Sequence, residues 1–177
     1  SEHTLYDGDS WNVLAQFSAN QPTQWFVLHP QSLGHLAVER NSTTMFAHLE
    51  GLGSYIGYSD AAGKPNATLP TRYSDWGQID SSANNLVSSY GYTGHRQDSS
   101  GLIYARNRYY DPQNATWLSA DPFPADQNMP GSLNRYSYVR NNPISRIDPL
   151  GLFDVASGSP PLSRPNAGSG LGNAMHN

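Results

Sequence analysis

The chain contains no cysteine. That excludes disulfide bridges, thiolate catalysis and zinc held by thiolates, and with them the small extracellular modules stapled by disulfides. Bacterial secretion is not excluded. Charge is scarce too: 14% of residues are Asp, Glu, Lys or Arg, against roughly 25% in an average soluble domain. A surface so poor in charge is expected to face other protein, including more of the same chain. The net charge is −4 with no clustered Lys or Arg, which argues against nucleic acid as a partner. No apolar run reaches the roughly 18 residues of a membrane span, so none is expected. The opening stretch SEHTLYDGD lacks the basic-then-apolar pattern of a secretory leader. It reads as the middle of a strand, so the chain is expected to be a fragment of something longer. No segment sustains the 3.6-residue apolar period of a helix.

What is present is aromatic. The 177 residues include 11 Tyr and 4 Trp, and 37% are hydrophobic, enough for the core of one ordinary domain. The pattern is of short β segments separated by turn residues. HTLYDGDSWNVLAQF reads as strand, Asp-Gly turn and strand. QWFVLH and TTMFAHLE are further strands, and GSYIGYSDAAGKPNATLPTRYSDWG is strand, Gly/Pro-rich turn and strand. GLIYARNRYY alternates as a strand, turns at DPQNAT and returns in WLSA. Short helical turns are expected in GSLNRYSYVRNN. Tyr followed closely by Asp or Gly recurs at Tyr6, Tyr58, Tyr73, Tyr90 and Tyr110. That spacing fits one hairpin per repeat, stacked side by side. It equally fits the ordinary preference of Tyr for strands and Asp for turns. The stretch from Phe153 to Asn177 is rich in Gly, Pro and Ser and cannot bury enough apolar surface to fold alone.

Several stretches carry no chemistry. The histidines at 3, 29, 35, 48, 95 and 176 show no metal-ligand spacing, so neither a metal nor another cofactor is expected. Gly8–Trp11 lacks the G-x-S-x-G pattern of a serine nucleophile and sits where a turn is needed. The GSGLGN run follows no strand and is not a phosphate cradle. The sequons at Asn41, Asn66 and Asn114 occur about as often as chance allows. Asp-Pro occurs at Asp111, Asp121 and Asp148, and turn chemistry explains each one. Asp121 and Asp148 admit a sharper reading. Two carboxyls brought together share one proton, so one can act as a base on water while the other acts as an acid.

Residues 90–152 hold the blocks GLIYARNRYYDP, LSADP, NRYSYVRNNP and DPLGL in that order. Together they closely resemble the RHS repeat-associated core domain, and the resemblance extends loosely over residues 1–152. It implies an all-β protein of stacked antiparallel YD-repeat hairpins, forming part of a hollow shell, with an irregular spiral or plug from about Asp121 to Leu152. It implies YD-repeat hairpins over 1–89, the core domain over 90–152, and over 153–177 a linker or the start of a C-terminal effector. In bacterial toxins of this type the effector is freed by self-cleavage after D-P-x-G-L, which here is the Leu152–Phe153 bond. The resemblance assigns Asp121 and Asp148 as the catalytic pair. Arg108 would orient a carboxylate and lower its pKa, with Arg106 as the weaker alternative. Pro149, Gly151, Asn141, Asn142 and Pro143 support the motif.

The implied activity is a single-turnover intramolecular aspartic autopeptidase with no action on outside peptides. The implied partners are further YD repeats of the parent chain, the effector and, through exposed sheet edges, a second copy. The implied location is secreted or at the bacterial cell surface, with a dedicated secretion system as one route. Two departures stand out. Glu50 occupies a position where the family has Asp, and Ala115-Thr116 stands where it has Gly-Arg. The competing expectation is a non-proteolytic structural or adhesion module, or a carbohydrate-binding one built on the aromatic surface.

Overall fold

The computed structural model describes residues 2–6, 13–19, 21–28, 34–67, 70–80, 82, 84 and 86–158. The turn expected at Asp7-Gly8, the Gly8–Trp11 stretch, His29, His176 and the GSGLGN run lie outside the described residues.

The first part is an antiparallel meander of β1 (Glu2–Tyr6), β2 (Val13–Ser18), β3 (Gln21–Leu28), β4 (His35–Arg40), β5 (Thr43–Leu49) and β6 (Tyr55–Ser59). Each strand pairs only with its neighbours in sequence, so the sheet order is β1-β2-β3-β4-β5-β6. These are the stacked hairpins expected from the turn-punctuated sequence. The pattern reading passed over β4, and the register shows why. Val27 faces Ala37 but Leu28 faces His35, so Leu36 is an extra residue without an opposite partner. Such a bulge breaks strict alternation.

One face of this sheet buries Phe26, Val38, Tyr55 and Tyr58, with Val13 and Tyr90. His35 lies among them, stacked on Tyr55 at 4.5 Å and edge-on to Phe26 at 4.8 Å. Burial pushes its pKa down to about 3, so the ring is neutral and acts as part of the core.

The second part is smaller and more irregular. β7 (Arg96–Gln97), β8 (Ile103–Tyr104), β9 (Tyr109–Asp111) and β10 (Thr116–Trp117) form a sheet in the order β10-β9-β8-β7. A separate core of Tyr92, Ile103, Ala105, Tyr110, Trp117, Tyr138 and Val139 packs on it. Tyr110 and Tyr138 stack at 4.2 Å, and Trp117 meets both edge-on. Fully burying one large apolar side chain contributes roughly 2–3 kcal/mol, so a few such rings can hold a region with very short strands. From Asp121 to Leu152 the chain is mostly turns, with 3-10 turns at Pro130–Ser132 and Val139–Asn141. It ends in a two-residue pairing of β11 (Arg146–Ile147) with β12 (Val155–Ala156). This matches the irregular spiral and short helical turns that were expected.

Two strand expectations are corrected. GLIYARNRYY is two strands, not one, because the chain reverses between Tyr104 and Tyr109. Ala105 N–H donates to the Arg108 carbonyl at 3.0 Å, and Arg106 adopts φ 66°. The period-2 pattern spans the reversal because Tyr104 and Tyr109 face each other across it. The expected return strand WLSA is likewise ordered as strand only at Thr116–Trp117.

The turns show what Asp does after a strand. Asp60 Oδ1 accepts from Ala62 N and Lys64 N, both at 2.9 Å. Asp98 and Asp111 cap their turns in the same way. Glu50 does so with a longer arm, its two oxygens accepting from Leu52 N and Ser54 N at 2.9 Å. The Asp-to-Glu departure therefore leaves that turn capped.

Candidate functional site

The site is built around the turn Asp148-Pro149-Leu150-Gly151-Leu152. Gly151 has φ 66°, and a Cβ there would sit 2.6 Å from the Ala105 carbonyl oxygen and 3.1 Å from Arg108 N. Only glycine fits a backbone both left-handed and this closely apposed. The opposing segment is the reversal after β8, which turns three consecutive side chains onto the turn's carbonyls. Arg106 Nη1 donates to Pro149 O at 2.9 Å, Asn107 Nδ2 to Leu150 O at 2.8 Å and Arg108 Nε to Gly151 O at 2.6 Å. His95 Nε2 also donates to Pro149 O at 3.3 Å. Burial holds the His95 ring neutral, with a pKa near 3, and its Nδ1 accepts from Thr93 Oγ1 at 2.9 Å.

Arg108 is the hub. Its Nη2 lies 2.8 Å from Asp121 Oδ2 and 3.2 Å from Asp148 Oδ2. Its guanidinium carbon lies 4.1 Å from the centre of the Trp117 ring, a cation–π contact. Arg108 and Asp148 are buried, whereas the Asp121 side chain keeps 23% of its surface exposed. The structure thus brings together Asp121, Asp148 and Arg108 from three separate segments.

The two carboxyls differ in surroundings. Asp148 Oδ1 accepts from Leu152 N at 3.0 Å and Phe153 N at 3.2 Å. Burial pushes its pKa up to about 7, against Arg108 and the two backbone N–H groups, which pull it down. Arg108 does pull the Asp148 pKa down, but desolvation outweighs the guanidinium, so the net shift is upward. Asp121 Oδ1 accepts from Phe123 N at 2.9 Å. Arg135 grips the Asp121 backbone: its Nε donates to Asp121 O at 2.9 Å, its Nη2 reaches the same oxygen, and its own carbonyl accepts from Asp121 N at 2.9 Å. Chemically, this is a buried acid held well above the usual carboxylate range and a solvent-reachable carboxyl, coupled through one cation beside a peptide bond.

No protein-family profile matches the chain. Curated relatives do. The chain is 34% identical over 151 residues to the tRNA3(Ser)-specific nuclease WapA of Bacillus spizizenii, a match covering 83% of this chain and 6% of that protein. It is 47% identical over 64 residues to toxin subunit YenC1 of Yersinia entomophaga, covering 36% of this chain and 6% of that one. Among solved structures, the TcdB2-TccC3-TEV crystal structure superposes with a TM-score of 0.62 at 22% identity, over 85% of this chain and 8% of that one. The WapA and YenC1 matches, with the shared fold, decide the family.

The chain belongs to the RHS-repeat, toxin-associated proteins. It spans about 6% of the length of WapA and about 6% of that of YenC1.

Within this RHS domain the other motif residues sit apart from the carboxyls. Arg106 makes no ion pair with Asp121 or Asp148 among the described residues and serves the turn instead. Asn141 and Asn142 are exposed, and Pro143 is buried. Asn141 adopts φ 61°, and Asn142 Oδ1 accepts from Ser145 Oγ at 2.8 Å. They shape the loop that leads into β11. The sequence reading missed Asn107, His95, Arg135 and Trp117 as parts of the site. Of these only Asn107 carried a usable signal, as a polar residue between two arginines inside an otherwise strand-like segment. Among the described residues no helix is long and apolar enough to cross a membrane.

Proposed function

We propose that this RHS domain cuts its own backbone between Leu152 and Phe153, using Asp121 and Asp148, and so frees whatever follows as a separate polypeptide. The observation that carries the reading is the double role of Asp148. One of its oxygens shares Arg108 Nη2 with Asp121, and the other holds the N–H groups on both sides of Leu152. Asp121, the more exposed carboxyl, takes a proton from water as its oxygen bonds to the Leu152 carbonyl carbon. Asp148, which burial keeps protonated into the neutral range, gives its proton to the Phe153 nitrogen as the C–N bond breaks. The products are a Leu152 carboxyl and a Phe153 amine. Because catalyst and substrate lie on one chain, the high effective molarity of an intramolecular reaction applies.

The finer organisation follows the same reading: YD-repeat hairpins over 1–89, the core domain over 90–152, and an effector or linker from Phe153. The fully buried residues of the two apolar clusters divide between Tyr90 and Tyr92, while Tyr73 and Trp76 pack across that line onto the second cluster. Partners are the remaining repeats of a shell and the effector it encloses. The parent protein is a secreted or cell-surface bacterial toxin. A second reading keeps the same contacts but no chemistry. The carbonyls of Pro149, Leu150 and Gly151 are all engaged, as a purely structural plug would require.

Intact mass under denaturing conditions separates the two. Wild type should yield a species starting at Phe153, and Asp148→Asn and Asp121→Asn should each remain whole. Wild type that stays whole alongside both variants through prolonged incubation refutes self-cleavage.

A further inference from the structure

Past Leu152 the chain does not leave the body. Val155 and Ala156 pair with Ile147 and Arg146 as β12 on β11. Ser157 N donates to Ser145 O at 2.9 Å, and Ser157 Oγ to Gly51 O at 3.0 Å. Between these backbone contacts and the Leu152–Phe153 bond stands Asp154, three-quarters enclosed or more, with two guanidiniums on it. Arg140 grips it as a fork, Nε to Oδ1 and Nη2 to Oδ2 both at 2.8 Å. Arg146 Nε bonds the same Oδ2, and its Nη2 donates to Asp154 O at 3.2 Å.

The backbone is bent to make this possible. Val139, Arg140 and Asn141 run consecutively at φ 42°, 53° and 61°. A β-branched residue in the left-handed region is a genuine outlier and is held there only by its surroundings. The surroundings include the buried Val139 side chain on one side and the Arg140–Asp154 fork on the other.

We propose that Arg140, Arg146 and the β11 edge form a docking site for the segment Phe153–Ser157, and that this site keeps the C-terminal product bound after the backbone is cut. The retention claim rests on the self-cleavage reading, since it needs a product. The docking itself does not. Every contact just described lies C-terminal to Leu152–Phe153, so hydrolysis removes the covalent link and none of the docking bonds. Cutting adds charge to another: the Phe153 nitrogen, which already donates to Asp148 Oδ1 at 3.2 Å, becomes an ammonium. The ligand class is a short extended peptide with an acidic residue at its second position. Two arginines around one carboxylate make that acid the specificity element, because a charged fork is stronger and more directional than neutral bonds.

The test uses the full chain in three forms: wild type, Asp154→Asn and Arg146→Gln. Denaturing mass reads whether the bond is cut, and native mass on the same sample reads whether the pieces stay together. The expected result is two species on denaturation and one complex in native conditions, with the fragment leaving about tenfold faster from Asp154→Asn, the effect of losing one well-formed partly buried ion pair. Wild-type pieces that separate as fast as those of Asp154→Asn overturn the proposal. If denaturation shows only whole chain, self-cleavage has failed and hydrogen exchange decides the docking. Amides of Val155–Ser157 should then exchange about tenfold faster in both variants, with β2–β5 unchanged as the fold control. Equal exchange in wild type and both variants overturns it.

Discussion

Gly151→Ala is the sharpest single perturbation of the site, because the structure separates its two costs. The backbone there is left-handed at φ 66°, which costs an L-residue about 1–2 kcal/mol. The added methyl would also meet the Ala105 carbonyl oxygen at 2.6 Å and Arg108 N at 3.1 Å. Both are backbone atoms that cannot swing aside, so overpacking adds about 1–3 kcal/mol. Gly101→Ala supplies the control: φ is 88° and nothing lies within 4 Å of the added carbon, so only the conformational cost of about 1–2 kcal/mol remains. Unfolding free energies from urea titration of the two variants should therefore differ by about 1–3 kcal/mol, with Gly151→Ala the less stable. The clash also pushes Gly151 away from Arg108 and with it the bond two residues on. A displacement of about 1 Å lowers an aligned intramolecular reaction on the order of a hundredfold, read as the first-order appearance of the Phe153 product by mass. Gly101→Ala should cleave at the wild-type rate. Equal stability of the two variants, or normal cleavage by Gly151→Ala, would refute the close packing on which the site's geometry depends.

Other outcomes follow from the same contacts. Asp148 titrates near pH 7 when folded and at 3.8 in its ordinary state, because burial favours its neutral form. Its stabilising contribution is thus fully present below about pH 4 and is lost as pH rises through about 7. Urea unfolding of Asp121→Asn, with and without Asp148→Asn, should show that slope only where Asp148 is retained. With Asp148 as the acid, the cleavage rate of wild type should fall about tenfold per unit above pH 7, and a rate that rises with pH there would contradict the assignment. Arg108→Lys keeps the charge but cannot reach Gly151 O, Asp121 and Asp148 together, so it should cost about 2–3 kcal/mol by thermal or urea unfolding. Ala115 sits at φ 54°, where the family's glycine is at ease, so Ala115→Gly should raise stability by roughly 0.5–1 kcal/mol.

How much of this was legible in the sequence varies by feature. The all-β class and the strand–turn rhythm followed from Tyr- and Val-rich segments broken by Asp, Gly and Pro, because those preferences are local. β4 was not legible, since its bulge at Leu36 shows only in the pairing with β3. The reversal inside GLIYARNRYY was hidden for a related reason. Its left-handed Arg106 is stabilised by contacts more than forty residues away, which no local pattern encodes. Asp121 and Asp148 stood out as two Asp-Pro carboxyls, the family blocks assigned their roles and that of Arg108, and their spacing carried no hint that one Nη2 would serve both carboxyls. The raised pKa of Asp148 was out of reach, because it depends on burial that only the packed turn creates. Nothing local to Arg140 or Arg146 signals that both meet Asp154.

The site's contacts also set when it can exist. The meander joins each strand to the next in sequence, so its pairings close short loops and form early at little entropic cost. The Asp148 turn is different. Arg106, Asn107 and Arg108 meet it across separations of 40 to 43 residues, and His95 across 54. A chain still emerging from the ribosome cannot make those contacts until it has been synthesised through Leu152. On the proposed chemistry, the cut is thereby a proofreading event: a chain that has not folded around that turn has no paired carboxyls and keeps whatever follows Leu152 attached, and only a completed fold lets go of its own backbone.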